Sequence, residues 1–281
     1  MLSPVYAPYS FVVERAEGVR LFTDKGVFLD TYAGIGVLPL GHSHPDVVRA
    51  IREKSERYTH LSNYFLDPDA PALAESLLSM TGRKGEVYFA NSGAEAMEAA
   101  LKAVKKNREG ALVSFEGNFH GRTLGALSVT WGPAIRHPFD PLIPHCAFLP
   151  FNGEALLRFA RENEIAAVFL ECIQGNSGVY PLPADLAEAV NILQKERGIL
   201  VVADEIQAGL GRTGRYFAYE HFGLRPDIIT LGKGIGGGLP LGAAIFCEWS
   251  PFASGEHGST FAPNPVSLAA GKATQIGRAH V

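Results

Sequence analysis

The sequence is short of cysteine and of long apolar runs, and neither sign of charge dominates it. Its 281 residues include three cysteines, Cys146, Cys172 and Cys247. An odd, sparse count with no metal-type spacing argues against a disulfide framework and fits a reducing compartment. No apolar stretch approaches the ~20 residues that span a bilayer. The opening "MLSPVYAPYS" has no basic segment followed by an apolar one, so no secretory signal is expected. Net charge is −4, spread without long runs of one sign, which gives no reason to expect nucleic acid or an anionic membrane as partner. The cytoplasm is the expected compartment. No G-x-S-x-G nucleophile elbow occurs. His42 and His44 in "LGHSHP" have no matching carboxylate or cysteine cluster, so they read as a turn rather than a metal site.

What is present fits a soluble enzyme, with 47% hydrophobic and 19% charged residues and a length sufficient for one large domain plus part of a second. The N-terminal "SFVVERAEGVRLFTDKGVFLDTYAG" predicts short antiparallel strands with turns at Glu17-Gly18 and Asp24-Lys25-Gly26. Pro45 opens a predicted helix carrying Val47, Val48, Ile51 and Ser55, and a second helix is predicted over 71–80. Then strands and helices alternate. "EVYFA", "ALVSFE", "AAVFLECI", "ILVVADE", "DIITLG" and "AAIFCE" read as strands; "AEAMEAALKAVKK", "EALLRFAREN" and "LAEAVNILQKER" read as helices. Short apolar strands separated by helices predict an α/β fold, a mostly parallel sheet covered on both faces. Ligands bind such sheets at the carboxyl ends of the strands.

The residues following those strands are polar and chemically varied. Ser92, Gly93 and Ala94 come after "EVYFA" at a helix start, where free N–H groups and the helix dipole favour an anion; an ordinary N-cap serine would look the same. Phe119, His120 and Arg122 lie in "GNFHGRT". An aromatic there can cover a flat ring and an arginine can grip a carboxylate, although a structural ion pair is the plainer alternative for Arg122. Asp204 ends a buried strand and needs a cationic partner, from the protein or from a ligand, and Gln207 could turn back to the same ligand. Lys233 follows "DIITLG". Partial burial would lower its pKa and free a nucleophilic amine, whereas a lysine in a glycine loop is more often a phosphate contact or solvated.

The glycines of "LGKGIGGGLPLG", residues 231–242, invite a nucleotide-loop interpretation that fails. Gly232, Gly234 and Gly237 fit G-x-G-x-x-G, but so do Gly209, Gly211 and Gly214, and the first set leads into Pro240 and a strand rather than a helix. The second follows Asp204 and Glu205, whose charges would repel a pyrophosphate. A P-loop needs Ser or Thr after Gly-Lys, and here Gly234 follows Lys233. One ligand accounts for a helix-end anion site, a ring cover, a ring-cation partner and an amine for an aldehyde: pyridoxal 5′-phosphate (PLP). The loop glycines would then let the backbone pass close to a flat ring.

The motifs "GHSHPDVVRAI", "NSGAEAMEAALK", "NFHGRT", "DEIQAGLGRTG", "LGKGIGGGLPLGA" and "GSTFAPNP", in this order over about residues 5–271, resemble class III aminotransferases of the acetylornithine/ornithine type. The resemblance implies a fold-type I PLP-dependent transferase acting as a homodimer. It implies that Lys233 is the Schiff-base lysine and Asp204 the partner of the pyridine nitrogen. Gln207 would contact the ring hydroxyl, Phe119 would stack on the ring, and Ser92, Gly93 and Ala94 would hold the phosphate. Thr260 of the other subunit would add a phosphate contact, and Arg122 would take the substrate carboxylate. The expected reaction moves an amino group from N-acetylornithine to 2-oxoglutarate, giving glutamate and a semialdehyde in arginine metabolism. Ornithine, succinylornithine, carrier-linked lysine and 4-aminobutyrate are alternative donors. An aminomutase or racemase on the same scaffold, or an inactive fragment, are alternative outcomes.

The chain departs from the family's pattern. Cys172 stands where a proline is usual and Asn176 where ornithine-type relatives have a glutamate; Met97 replaces an asparagine, and Ala262-Pro263 two glycines. The expected organisation is an N-terminal segment of a small domain (1–40), a large PLP-binding domain (41–270) and a truncated end (271–281), with the C-terminal domain missing. The helix opened by "NPVSLAAG" is expected not to complete. Residues 276–281 match the translation of a common sequencing adapter and are expected to be non-native.

Overall fold

The computed structural model describes residues 3–278, without the side chains of 276–278. The end of the suspected adapter segment lies outside the described residues.

Three short strands, β1 (Val13–Glu17), β2 (Arg20–Thr23) and β3 (Gly26–Leu29), form an antiparallel sheet of their own. They turn at the two places the glycines mark, Gly18 and Gly26, both with positive φ. This sheet is thinly covered: Val13, Val27, Phe28 and Leu29 are all exposed. A bridge between Gly18 and His42 and a 2.7 Å bond between His42 Nε2 and Asp30 join it to the following chain. A tight turn, α1 (Ala33–Gly36), precedes α2 (Pro45–Arg57) and α3 (Asp69–Thr81). His44 caps α2 by accepting the Asp46 N–H, so the two histidines of "LGHSHP" serve a sheet contact and a helix start. Lys54 of α2 is buried, with its ammonium 3.0 Å from Asp67 and 2.6 Å from Asp69.

The rest is the alternating pattern. Strand β4 (Gly85–Ala90) leads into α4 (Gly93–Asn107), and β5 (Ala111–Phe115) into the short α5 (Leu124–Ser128) and α6 (Pro133–Arg136). Then come β6 (Cys146–Leu149), α7 (Gly153–Glu162) and β7 (Ile165–Leu170), followed by a small hairpin of β8 (Ile173–Gln174) and β9 (Tyr180–Pro181). Helix α8 (Ala184–Arg197) ends at Gly198, whose left-handed φ of +65° stops it as expected. The final elements are β10 (Leu200–Asp204), β11 (Ile228–Leu231), β12 (Gly242–Cys247) and α9 (Pro265–Arg278).

Seven strands pair in the order β4-β12-β11-β10-β7-β5-β6. All run parallel except β12, which is antiparallel to both neighbours. A parallel return requires a long crossover, usually a helix. The residues between β11 and β12 contain only a short 3₁₀ turn, Lys233–Gly236, so the chain doubles back.

Each strand feeds two layers, as alternation of side chains requires. From β7, Val168 and Leu170 pack with Leu156 of α7 and with Leu186 and Val190 of α8. Ala167 and Phe169 pack on the other face with Met97, Leu101 and Val104 of α4. Every residue of β7 is buried. Helix α9 packs on α2 and runs through Arg278. Among the described residues, no helix is long and apolar enough to cross a membrane.

Candidate active site

Because their strands are parallel, the ends of β4, β5, β7, β10 and β11 meet at one edge of the sheet. Ser92, Phe119, Glu171, Asp204 and Lys233 follow or end those strands in turn.

Lys233 begins the 3₁₀ turn with φ +46°, in the left-handed region. For a side chain other than glycine this costs about 1–3 kcal/mol, in a loop where glycine would fit without strain. The residue is half-buried and makes no hydrogen bond or ion pair within the described residues. Burial lowers the pKa of its amine; the charges of Asp204 and Glu171 oppose that shift and Arg212 adds to it. The result is an amine poised toward its neutral, nucleophilic form near two carboxylates.

Asp204 is 4% exposed. Its Oδ2 lies 2.7 Å from Nδ1 of His120, and its Oδ1 accepts the Ile206 N–H at 3.0 Å. Among the described residues the partner that its burial demands is thus a histidine, arriving from the loop after β5. His120 is itself buried, and among the described residues its Nε2 has no partner. The residue next to Asp204, Glu205, faces away. It accepts the N–H groups of Ala218 and Tyr219, both at 2.9 Å, at the start of a second 3₁₀ turn, Ala218–Phe222. Burial pushes its carboxyl up to about 8 against those two donors.

Ser92 is the N-cap of α4, its Oγ accepting the Glu95 N–H at 3.2 Å. Glu95 is folded back onto Asn91, accepting its backbone and side-chain N–H groups at 2.9 Å each. The first N–H groups of a helix have no intrahelical acceptor, so those of Gly93 and Ala94 can serve an anion. The glycines here have a packing reason not foreseen in the sequence. A Cβ on Gly93 would come 2.7 Å from Ile206 Cδ1, one on Gly232 would come 2.9 Å from Gly93 Cα, and one on Gly242 would come 2.2 Å from the Ser92 carbonyl. They let the start of α4, the Lys233 loop and the start of β12 close upon one another.

Phe119 is half-buried, and its backbone N–H is bound by Glu171 at 2.7 Å. Arg122 is exposed and forms no ion pair among the described residues; its guanidinium carbon is 5.8 Å from the Phe119 ring centre. Gln207 lies over Gly175, where a Cβ would come 2.1 Å from its Oε1. Thr260 is exposed, next to Ser259, whose hydroxyl is 3.2 Å from the Asn91 side chain. Two functional candidates escaped the sequence reading. His120 was visible in "NFHGRT" without a role, and Glu171 was visible only as part of the predicted strand "AAVFLECI".

This donor set fits PLP. It offers an unpaired amine in a strained position, a buried carboxylate, helix N–H groups and an aromatic ring, all at one sheet edge.

Comparison with known proteins agrees. The family described as aminotransferase class-III matches residues 2–275. An acetylornithine aminotransferase of Methanopyrus kandleri is 42% identical over 272 residues, covering 94% of this chain and 69% of that protein. A solved ornithine aminotransferase of Toxoplasma gondii superposes with a TM-score of 0.91 at 29% identity, covering 99% of this chain and 69% of that one. A second structure of the T. gondii enzyme, described with partial occupancy of PLP at its active site, gives 0.89 at 31% identity, covering 97% and 67%. With the fold, the sheet-edge site and these relatives in agreement, the chain belongs to the class III aminotransferases, which depend on PLP.

Proposed function

We propose that this aminotransferase moves the amino group of N-acetylornithine, or of a close ω-amino relative, to 2-oxoglutarate, releasing glutamate and a semialdehyde. The observation that carries the site assignment is Lys233, an unpaired, half-buried amine held at φ +46° near Asp204. The acetylornithine aminotransferases that are about 40% identical to it support that donor. A place in arginine synthesis fits the names of those relatives, and the cytoplasm is the compartment we propose.

Bound PLP would supply an aldehyde to hold the substrate amine and a ring that accepts electrons from the carbon bearing that amine. The chain's residues do the rest. Lys233 would hold the cofactor and would move a proton at the substrate carbon that bears the transferred amine, as base and then acid. Asp204 holds a proton on the ring nitrogen, and His120 holds Asp204. Phe119 covers the ring and Gln207 meets its hydroxyl. Ser92, Gly93 and Ala94 bind the phosphate, and Arg122 takes the substrate carboxylate. We assign the large PLP-binding domain to 41–270 and a small-domain segment to 1–40. A homodimer, in which Thr260 reaches the other subunit's phosphate, completes the proposal.

The test is a donor screen with 2-oxoglutarate as acceptor, following glutamate formed and the half-reaction absorbance. N-acetylornithine is expected to give the highest kcat/KM. Isomerisation of an amino acid without any 2-oxo acid would instead assign an aminomutase or racemase.

A further inference from the structure

We infer that Glu171 is a positioning residue for Phe119: its carboxylate fixes the backbone that carries the ring, and thereby sets how tightly and in what geometry the cofactor is held. The inference rests on the placement of Phe119 over PLP proposed above.

The loop after β5 holds its own N–H groups on either side of Phe119. Asn118 N–H donates to the Phe115 carbonyl at 3.1 Å, and His120 N–H donates to Thr130 Oγ1 at 2.9 Å. Both acceptors belong to the strand, loop and α5 segment itself. The Phe119 N–H is held from a different strand, by Glu171 at the end of β7. The same strand end also accepts the Asn118 side chain, at the Phe169 carbonyl. Glu171 is therefore a clamp between β7 and the loop residue proposed to stack on the cofactor.

The choice of a carboxylate for this clamp is costly. Glu171 is 5% exposed and lies near Asp204. Burial, then the Asp204 charge, push its carboxyl up to about 7, while His120, the Phe119 N–H and Lys233 pull it down. A neutral acceptor would avoid that charge repulsion. Among the described residues the four-atom arm ends on the Phe119 N–H, so reach is the property we test, and it can be separated from charge by substitution.

The test is a titration of PLP into the cofactor-free chain, comparing wild type with Glu171→Ala, Glu171→Gln and Glu171→Asp. Visible absorbance gives the Kd, visible circular dichroism reports how asymmetrically the ring is held, and thermal unfolding without cofactor reports folding. Glu171→Ala is expected to raise the Kd about tenfold, the loss of one charge-assisted bond, and to weaken the visible dichroism. Glu171→Gln keeps a carbonyl oxygen at full reach and is expected to recover most of both. Glu171→Asp keeps the charge but not the reach and is expected to resemble Ala. If Ala does not fold, Gln against Asp decides. Wild-type affinity in Ala, or Asp behaving as wild type while Gln fails, overturns the inference. A wild-type chain that takes up no PLP overturns the site assignment itself, a separate result.

Discussion

Asp204 and Glu205 are neighbours in sequence, equally buried, and opposite in what surrounds them. Glu205 turns into the layer that contains Phe217, Ala218 and Tyr219, and both its oxygens accept backbone N–H groups. Asp204 turns to the sheet edge, takes one N–H and one histidine, and lies within electrostatic reach of Lys233. A carboxylate satisfied on all sides by its own fold is a structural part. One left open toward an unpaired amine is available for chemistry. Burial does not separate the two; the identity of the partners does.

Substitutions at the open side have the largest expected effects. Lys233→Ala should abolish both transamination and the visible absorbance of PLP held by the chain; unchanged absorbance would sink the assignment of that lysine. Asp204→Ala should lower kcat by about 10²–10³-fold, the scale for removing one preorganised electrostatic partner, while Glu205→Gln leaves kcat within a few-fold. Equal losses in the two variants, measured in steady state, would erase the contrast.

At the closed side the expected loss is in stability. Glu205→Ala leaves the Ala218 and Tyr219 N–H groups buried and unpaired. That should cost about 2–4 kcal/mol of folding free energy, read from the urea midpoint at constant slope. A loss under ~1 kcal/mol would show that the turn at Ala218–Phe222 holds itself.

The contrast also marks how far the sequence could be followed. The six main apolar strands, the three long helices between them and the small N-terminal sheet are legible, because apolar periodicity and turn residues are local signals. The edge strand β6 is not, since "CAFL" is only half-buried and carries no pattern of its own. The reversal of β12 is hidden because strand direction depends on the connection rather than on the strand. Lys233 and Asp204 are legible as chemistry because each follows an apolar run. The glycines of 231–242 are visible, but the packing reason at Gly232 and Gly242, room for protein backbone at Gly93 and Ser92, is not. The bond of His120 to Asp204 spans 84 positions and that of Glu171 to Phe119 spans 52, distances at which no local pattern reports a partner.

The smallest expected effect, and the one that bears most directly on the closed side, is a pH dependence of stability. Glu205 titrates near 8 in the folded chain and Glu171 near 7, against an ordinary value of 4.5. Both therefore keep a proton in the folded state that the unfolded chain has already released. The unfolded state binds fewer protons in that interval, so stability falls as pH rises from about 4.5 to about 8. Below it both states are protonated and above it both are ionised, and these two groups then add no slope. Lys233, with its lowered pKa, acts in the opposite sense only toward the alkaline side. The rise of Glu205 to about 8 already includes the opposing pull of its two N–H donors, and the fall in stability should be on the order of a few kcal/mol. Calorimetry of the cofactor-free chain between pH 5 and pH 8 should show it. Glu205→Gln, which cannot ionise, should start from a lower melting temperature and lose less of it across the same interval. A slope identical to wild type would mean that Glu205 stays ionised throughout, held by Ala218 and Tyr219 more strongly than burial opposes them.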